Sequence, residues 1–166
     1  MTCHDDYPIR IVIFNLIVLL LALVVGLLLV AQLGWWAILS YAVVGSLGLI
    51  LSLAYGCSRC SYYGHLCGLG LGKIAPLVFH QRDEEEFGRA LSQSVAWTLV
   101  GLVLALPVAA GLVSLATGFS VPGLAILVVF LALIVVIVVT HSRYVCAHCR
   151  QARDGLCTLG RMAGLS

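Results

Sequence analysis

Six of the seven cysteines fall into two triplets. The first is Cys57-x-x-Cys60 followed by Cys67, within CSRCSYYGHLC. The second is Cys146-x-x-Cys149 followed by Cys157, within CAHCRQARDGLC. A Cys-x-x-Cys pair lets two thiolates converge on one ion from a tight turn, and a third thiolate from the next element can close on it. A tetrahedral zinc site takes four ligands, so each triplet is one short. His65, two residues before Cys67, is the freest candidate for the fourth position. His148 lies inside the second pair's turn, where its side chain is expected to point away from a metal shared by Cys146 and Cys149. His141 reads as an interfacial residue at a helix end, and Cys3 and His4 could reach over from the N-terminus. The expected metal-ligating set is Cys57, Cys60, Cys67, Cys146, Cys149, Cys157 and His65, arranged as one shared site or two.

Several chemistries suit such a set. Zinc would staple loops together and build a docking surface. An iron–sulfur cluster would move electrons, although the spacing differs from the bacterial ferredoxin run, whose cysteines lie closer together. A Cys-x-x-Cys near a helix end also suits thiol–disulfide exchange. The plainer readings are palmitoylation just below a membrane and inert interfacial thiols. No catalytic residues are expected: there is no nucleophile–base constellation, no His-Glu-x-x-His and no nucleotide loop. The glycine-rich stretch CGLGLGKIAPLVF (67–79) lacks the Gly-Lys-Ser/Thr ending of a phosphate loop. It reads instead as a flexible or re-entrant interfacial segment with Lys73 at headgroup level.

The elements that must position these groups are membrane helices. Of the 166 residues 62% are hydrophobic and only 10% charged, against roughly 25% charged in a soluble domain. No Asp, Glu, Lys or Arg occurs between Arg10 and Arg59, or between Arg89 and Arg143. Each gap accommodates two crossings of about 20 residues. The expected spans are 11–31, 36–55, 91–115 and 123–140, with turns at QLGWW (32–36) and TGFSVPG (117–123). The first span is longer than a signal-peptide core and is read as a retained helix. Asn15 is expected to hydrogen-bond a neighbouring helix. Small residues at Ala22/Gly26, Ala42/Ser46 and Gly101/Ala105/Ala109 are expected to allow close helix approach, and Pro107 to kink the third span.

Four crossings place the N-terminus, the 56–90 loop and the C-terminal tail on one side. All nine Lys and Arg, all seven Cys and all five His lie there. The positive-inside rule makes that side cytoplasmic, with both termini in the cytoplasm of a cell (inner) membrane protein, and cytoplasmic thiols are kept reduced. Two copies of one unit are also legible. Tyr55-x-Cys57-x-x-Cys60 and Tyr144-x-Cys146-x-x-Cys149 are offset by 89 residues, and Cys67-x-Leu-Gly and Cys157-x-Leu-Gly by 90. The expected fold is an all-α integral membrane protein: two duplicated helix hairpins, each followed by a cytoplasmic Cys-rich segment. The first repeat covers 1–90, with its Cys motif at 57–67 and an interfacial loop. The second covers 91–166, with its Cys motif at 146–157 and an interfacial tail carrying Leu156, Leu159, Met162 and Leu165. The expected partners are the lipid bilayer, a cytosolic or membrane protein, and a second copy of the chain. The net charge of +2 gives no reason to expect nucleic acid. The expected role is an anchor or accessory subunit with a zinc or iron–sulfur site. The alternative is a redox protein passing electrons between a cytosolic partner and a membrane carrier such as quinone.

Overall fold

A computed structural model describes residues 3–84 and 91–150 of the chain. Five α-helices follow in order: α1 (Ile9–Ala31), α2 (Trp35–Leu51), α3 (Leu71–Val78), α4 (Leu91–Thr117) and α5 (Val121–Thr140). No strand occurs among the described residues. Four of the helical segments are long and apolar enough to cross a membrane.

Hydrophobicity does not distinguish the faces of these helices, because they are apolar all round. Side-chain size distinguishes them in α1. Its buried stripe is Val12, Asn15, Val18, Ala22, Gly26, Leu29 and Val30, a helical period of three and four residues. Ile13, Phe14, Ile17, Leu20, Leu21 and Val24 point outward. Small residues inside and large ones outside let helices approach closely where burial of apolar surface supplies no drive between them. Gly26 is the closest point. A Cβ there would lie 2.8 Å from the Tyr41 hydroxyl and 3.1 Å from both Phe130 and Pro107.

Helix α1 packs on α2, α4 and α5, and α4 packs on α1, α2 and α5. Exchanging α1 with α4 and α2 with α5 leaves that packing scheme unchanged. Ala22, Leu29, Leu127 and Phe130 form one buried cluster, and Val30, Tyr41 and Ala110 form a second. Tyr41 and Phe130, which both close on Gly26, stand 89 residues apart in the chain. At the far end, the Ser114 hydroxyl donates to Gln32 Oε1 at 2.5 Å, tying α4 to the first turn. Ser120 caps α5, its Oγ accepting from the Gly123 N–H at 3.2 Å. Trp35 and Trp36 are exposed at the start of α2, as interfacial anchors are.

Three expectations are corrected. The small residues Ala42/Ser46 and Gly101/Ala105/Ala109 face outward, and the inward positions are Tyr41, Gly48, Pro107, Ala110 and Gly111. One residue turns a helix by about 100°, and nothing polar marks the face. Asn15 bonds no helix: its Nδ2 donates to the backbone oxygen of Gly68 at 3.0 Å. Residues 71–78, within the stretch expected to be flexible or re-entrant, form the short helix α3, preceded by turns.

Candidate functional site

Both Cys-x-x-Cys pairs sit on the same kind of turn. After α2, a π-helical turn over Ser52–Gly56 leads into a 3-10 turn over Cys57–Arg59. After α5, a π-helical turn over His141–Val145 leads into a 3-10 turn over Cys146–His148. The closing residues share one conformation: Cys60 has φ −86° and ψ 140°, Cys149 φ −83° and ψ 127°. Each turn is closed by the same bond, Cys60 N–H to the Cys57 oxygen at 3.3 Å and Cys149 N–H to the Cys146 oxygen at 3.2 Å. A widened turn followed by a tight one changes the direction of the chain without leaving the helix axis abruptly, and brings the first and fourth residues of the motif close together.

The loop after Cys60 folds back along the first two turns of α1. Tyr7 N–H donates to the Leu66 oxygen at 3.0 Å, and Leu66 N–H to Asp6 Oδ1 at 2.7 Å. The Asn15–Gly68 bond continues the same seam deeper. Gly68 is pressed against the turn that follows α5, since a Cβ there would lie 2.5 Å from Val145 Cγ1. Cys67 follows from this path, and its Sγ accepts the backbone N–H of Gly72 at 3.3 Å.

The two turns meet on a small aromatic core. Tyr7, Val12, Tyr62 and Val145 are buried together, and Cys60, Cys67 and Cys149 pack against them. Cysteines of both Cys-x-x-Cys turns therefore line one cluster. Burial pushes the Cys60 thiol up. A Tyr62 backbone N–H directed at it opposes the rise, and neighbouring Cys57, Cys67 and Cys149 add to it. The dominant cause is loss of water around a charge, so Cys60 is a neutral thiol when nothing is bound. Burial likewise holds Tyr7 as a phenol.

Tyrosine hydroxyls fasten this core. Tyr7 OH donates to the Val145 oxygen at 2.6 Å. Tyr62 OH donates to the His4 oxygen at 2.8 Å and accepts from the Arg150 N–H at 3.3 Å. His4 stacks on His148 with ring centroids 5.3 Å apart, and lies edge-on to Tyr7. Residues 4–7 thus span from the loop after Cys60 to the turn after α5. On the outer side of the first turn, Arg59 is buried. Its guanidinium and that of Arg82 lie 5.5 and 5.9 Å from the Tyr55 ring centroid, within cation–π range.

Cys57, Cys60 and Cys67 of the first triplet are each partly buried, as are Cys146 and Cys149 of the second. Cys157 and the apolar tail after it lie outside the described residues, as does most of the RDEEEFGR run. His65 is directed at Asp6, Nδ1 to Oδ1 3.5 Å, with both side chains 58% exposed. Asp6 is held below its ordinary range, first by the Leu66 N–H and also by His65. Among the described residues no three His, Cys, Asp or Glu side chains stand ready around one point to hold a metal ion. Tyr62, in the loop between Cys60 and Cys67, is a core residue. Tyr7 and Asp6, which the sequence does not single out, organise the site. The signal that could have found Tyr7 is its position one turn before an uninterrupted apolar helix, where a lone tyrosine can pack beneath the loops. No family model matches the chain, and no curated protein or solved structure matches it either.

Proposed function

We propose that this chain is a multi-pass membrane protein, built by duplication, that binds a metal centre through a cysteine site on the cytoplasmic face. It serves as an anchor or accessory subunit for a partner protein. The observation that carries the reading is that Cys149 of the second repeat neighbours Cys60 of the first, as Cys57 and Cys67 do, with Cys60, Cys67 and Cys149 packed on one buried core. Four thiols are the complement of a closed zinc site or of an iron–sulfur cluster. Cys146, Cys157 and His65 remain the further donors of the set. Burial keeps the Cys60 thiol neutral, and a cation would displace that proton and draw the sulfurs inward, coupling binding to closure. Duplication is supported by the paired turns, the interchangeable helix packing and the common 89-residue offset of the cysteine pairs and of Tyr41 and Phe130.

The redox alternative draws on the same core. Tyrosine and valine shield the thiols from water, and burial of that kind tunes the potential of an iron–sulfur centre. Metal and acid-labile sulfide content, with a visible spectrum, on protein purified without oxygen separates the two. Zinc without colour supports the structural site, and iron with sulfide the electron carrier. Neither metal refutes both readings and leaves thiol exchange or lipidation. Cys60→Ser and Cys149→Ser, made separately, are each expected to abolish all bound metal in one shared site. Loss of half the metal from each would mean two sites.

A further inference from the structure

The short helix α3 exposes an apolar face that nothing else in the described chain covers. Leu77 is 83% exposed, Val78 61% and Ile74 46%. On a helix these three lie together, at spacings of three and four residues. The opposite side is committed to the protein. Gly72 and Ala75 are buried. A Cβ at Gly72 would strike the backbone oxygens of Tyr62 and His65. Lys73 is exposed on the flank between the two faces.

The level of α3 along the bundle follows from its contacts. Helix α2 has 17 residues from Trp35 to Leu51, which is about 26 Å at ~1.5 Å per residue. With the two tryptophans at the opposite interface, Leu51 nears the limit of a hydrocarbon core about 30 Å thick. The next eight residues, Ser52–Arg59, cross the boundary, and α3 packs on these two turns. Just before α3, Gly70 lies against Val12, within 3.2 Å of where its Cβ would be, and Gly68 bonds Asn15. Val12 and Asn15 are in the first two turns of an apolar helix. The segment leading into α3 therefore runs level with the edge of the membrane's apolar layer.

We propose that α3 is an in-plane interfacial helix, with Ile74, Leu77 and Val78 lodged among the outer acyl carbons of the leaflet and Lys73 at the headgroups. Its occupant is lipid because the face stands where the leaflet must be if the long helices are spans. The combination of an apolar face and a flanking lysine suits the boundary between acyl chains and headgroups. The inference rests on those spans and is independent of what the cysteines bind. It has a consequence for them: the Gly72 N–H that holds Cys67 Sγ belongs to the first turn of α3, so the leaflet steadies that thiol.

The test uses the full chain in vesicles of phosphatidylcholine and phosphatidylglycerol. A Leu77→Trp variant is made with Trp35, Trp36 and Trp97 replaced by phenylalanine. Its emission is expected to be blue-shifted, and quenched more by lipids brominated near the headgroup end of the acyl chain than by lipids brominated near its tip. Emission typical of water-exposed indole, without bromine quenching, overturns the proposal. So does a blue shift that bromine leaves untouched, which means protein, the 151–166 tail or a second copy, covers the face. A diazirine phospholipid applied to the unaltered protein guards against misfolding of the variant. Labels are expected at residues 74–78 as well as on the outward face of α1. Labelling of α1 alone refutes the placement of α3, and labelling of neither refutes the membrane spans on which it depends.

Discussion

Gly68→Ala is the sharpest perturbation of the contact between the two halves. The new Cβ would stand 2.5 and 2.6 Å from the two γ-methyls of Val145 and 3.1 Å from its Cβ. Carbon atoms settle at about 3.5–4.0 Å. A β-branched side chain has little rotamer freedom with which to withdraw both methyls, so the loop and the second turn must part by about 1 Å. Overpacking of that kind costs roughly 1–3 kcal/mol. Val145→Ala alone removes two methyls, worth about 1.6 kcal/mol at ~0.8 kcal/mol each. It leaves the backbone oxygen that Tyr7 bonds. In the double variant the added methyl occupies the space the valine vacates. The pair is therefore expected to be less destabilised than the sum of the single changes by about 1–2 kcal/mol, a factor of roughly 5–30 in the unfolding equilibrium. Unfolding in mixed micelles with increasing denaturing detergent measures all four corners of the cycle. Additivity within ~0.5 kcal/mol would falsify the close contact between these two residues.

Two further outcomes follow from the same core. Tyr7→Phe removes the donor to the Val145 oxygen while keeping the ring. It is expected to cost about 1–3 kcal/mol, the penalty for a buried acceptor left without its donor, measured in the same detergent titration. In metal-free protein the Cys60 thiol is raised by burial above its ordinary value of 9.0. The unfolded chain therefore loses that proton at lower pH than the folded one. The stability it contributes is fully present below about pH 9 and declines as pH rises from there. A Cys60→Ala variant should show a shallower decline. Identical slopes for the two proteins from pH 8.5 to 10.5, a range on the order of two units about that thiol value, would refute the assignment.

The span pattern was legible because charge is excluded so completely from two long stretches, and bilayer crossings need little else. Segregation of the chemistry was legible for the same reason: Cys57, Cys60, Cys146 and Cys149 follow directly on apolar runs. Helix ends were less so. The second span was expected to reach residue 55, and the apolar helical segment does run past it, but the change from α-helix to a π-helical turn after Leu51 was not legible, because the composition continues unchanged across it. The inward face was misread at Ala42 and Gly101, where small size in a uniformly apolar helix carries no direction. Helix α3 was obscured by its glycines. Gly72 is there because a backbone oxygen occupies the place of its side chain, a tertiary fact that reads locally as a helix breaker. The roles of Tyr7, Asp6 and His4 were illegible, since their partners lie some 60 to more than 130 residues away and no spacing rule connects them.

The bond from Tyr7 to Val145 joins residues 138 positions apart. At about 5–20 residues per second, a ribosome finishes the second residue roughly 7–28 s after the first. Tyr7 and Asp6 wait through that interval for the surface that buries them, and the first cysteine triplet waits through the later part of it, while α3, α4 and α5 are made. Cys60 and Cys67 are thus open to oxidants and stray metal during synthesis and are sheltered only once the final helix arrives. Residues made before the first helix act as a late clasp, and a cell making this protein must keep those thiols reduced until the clasp shuts.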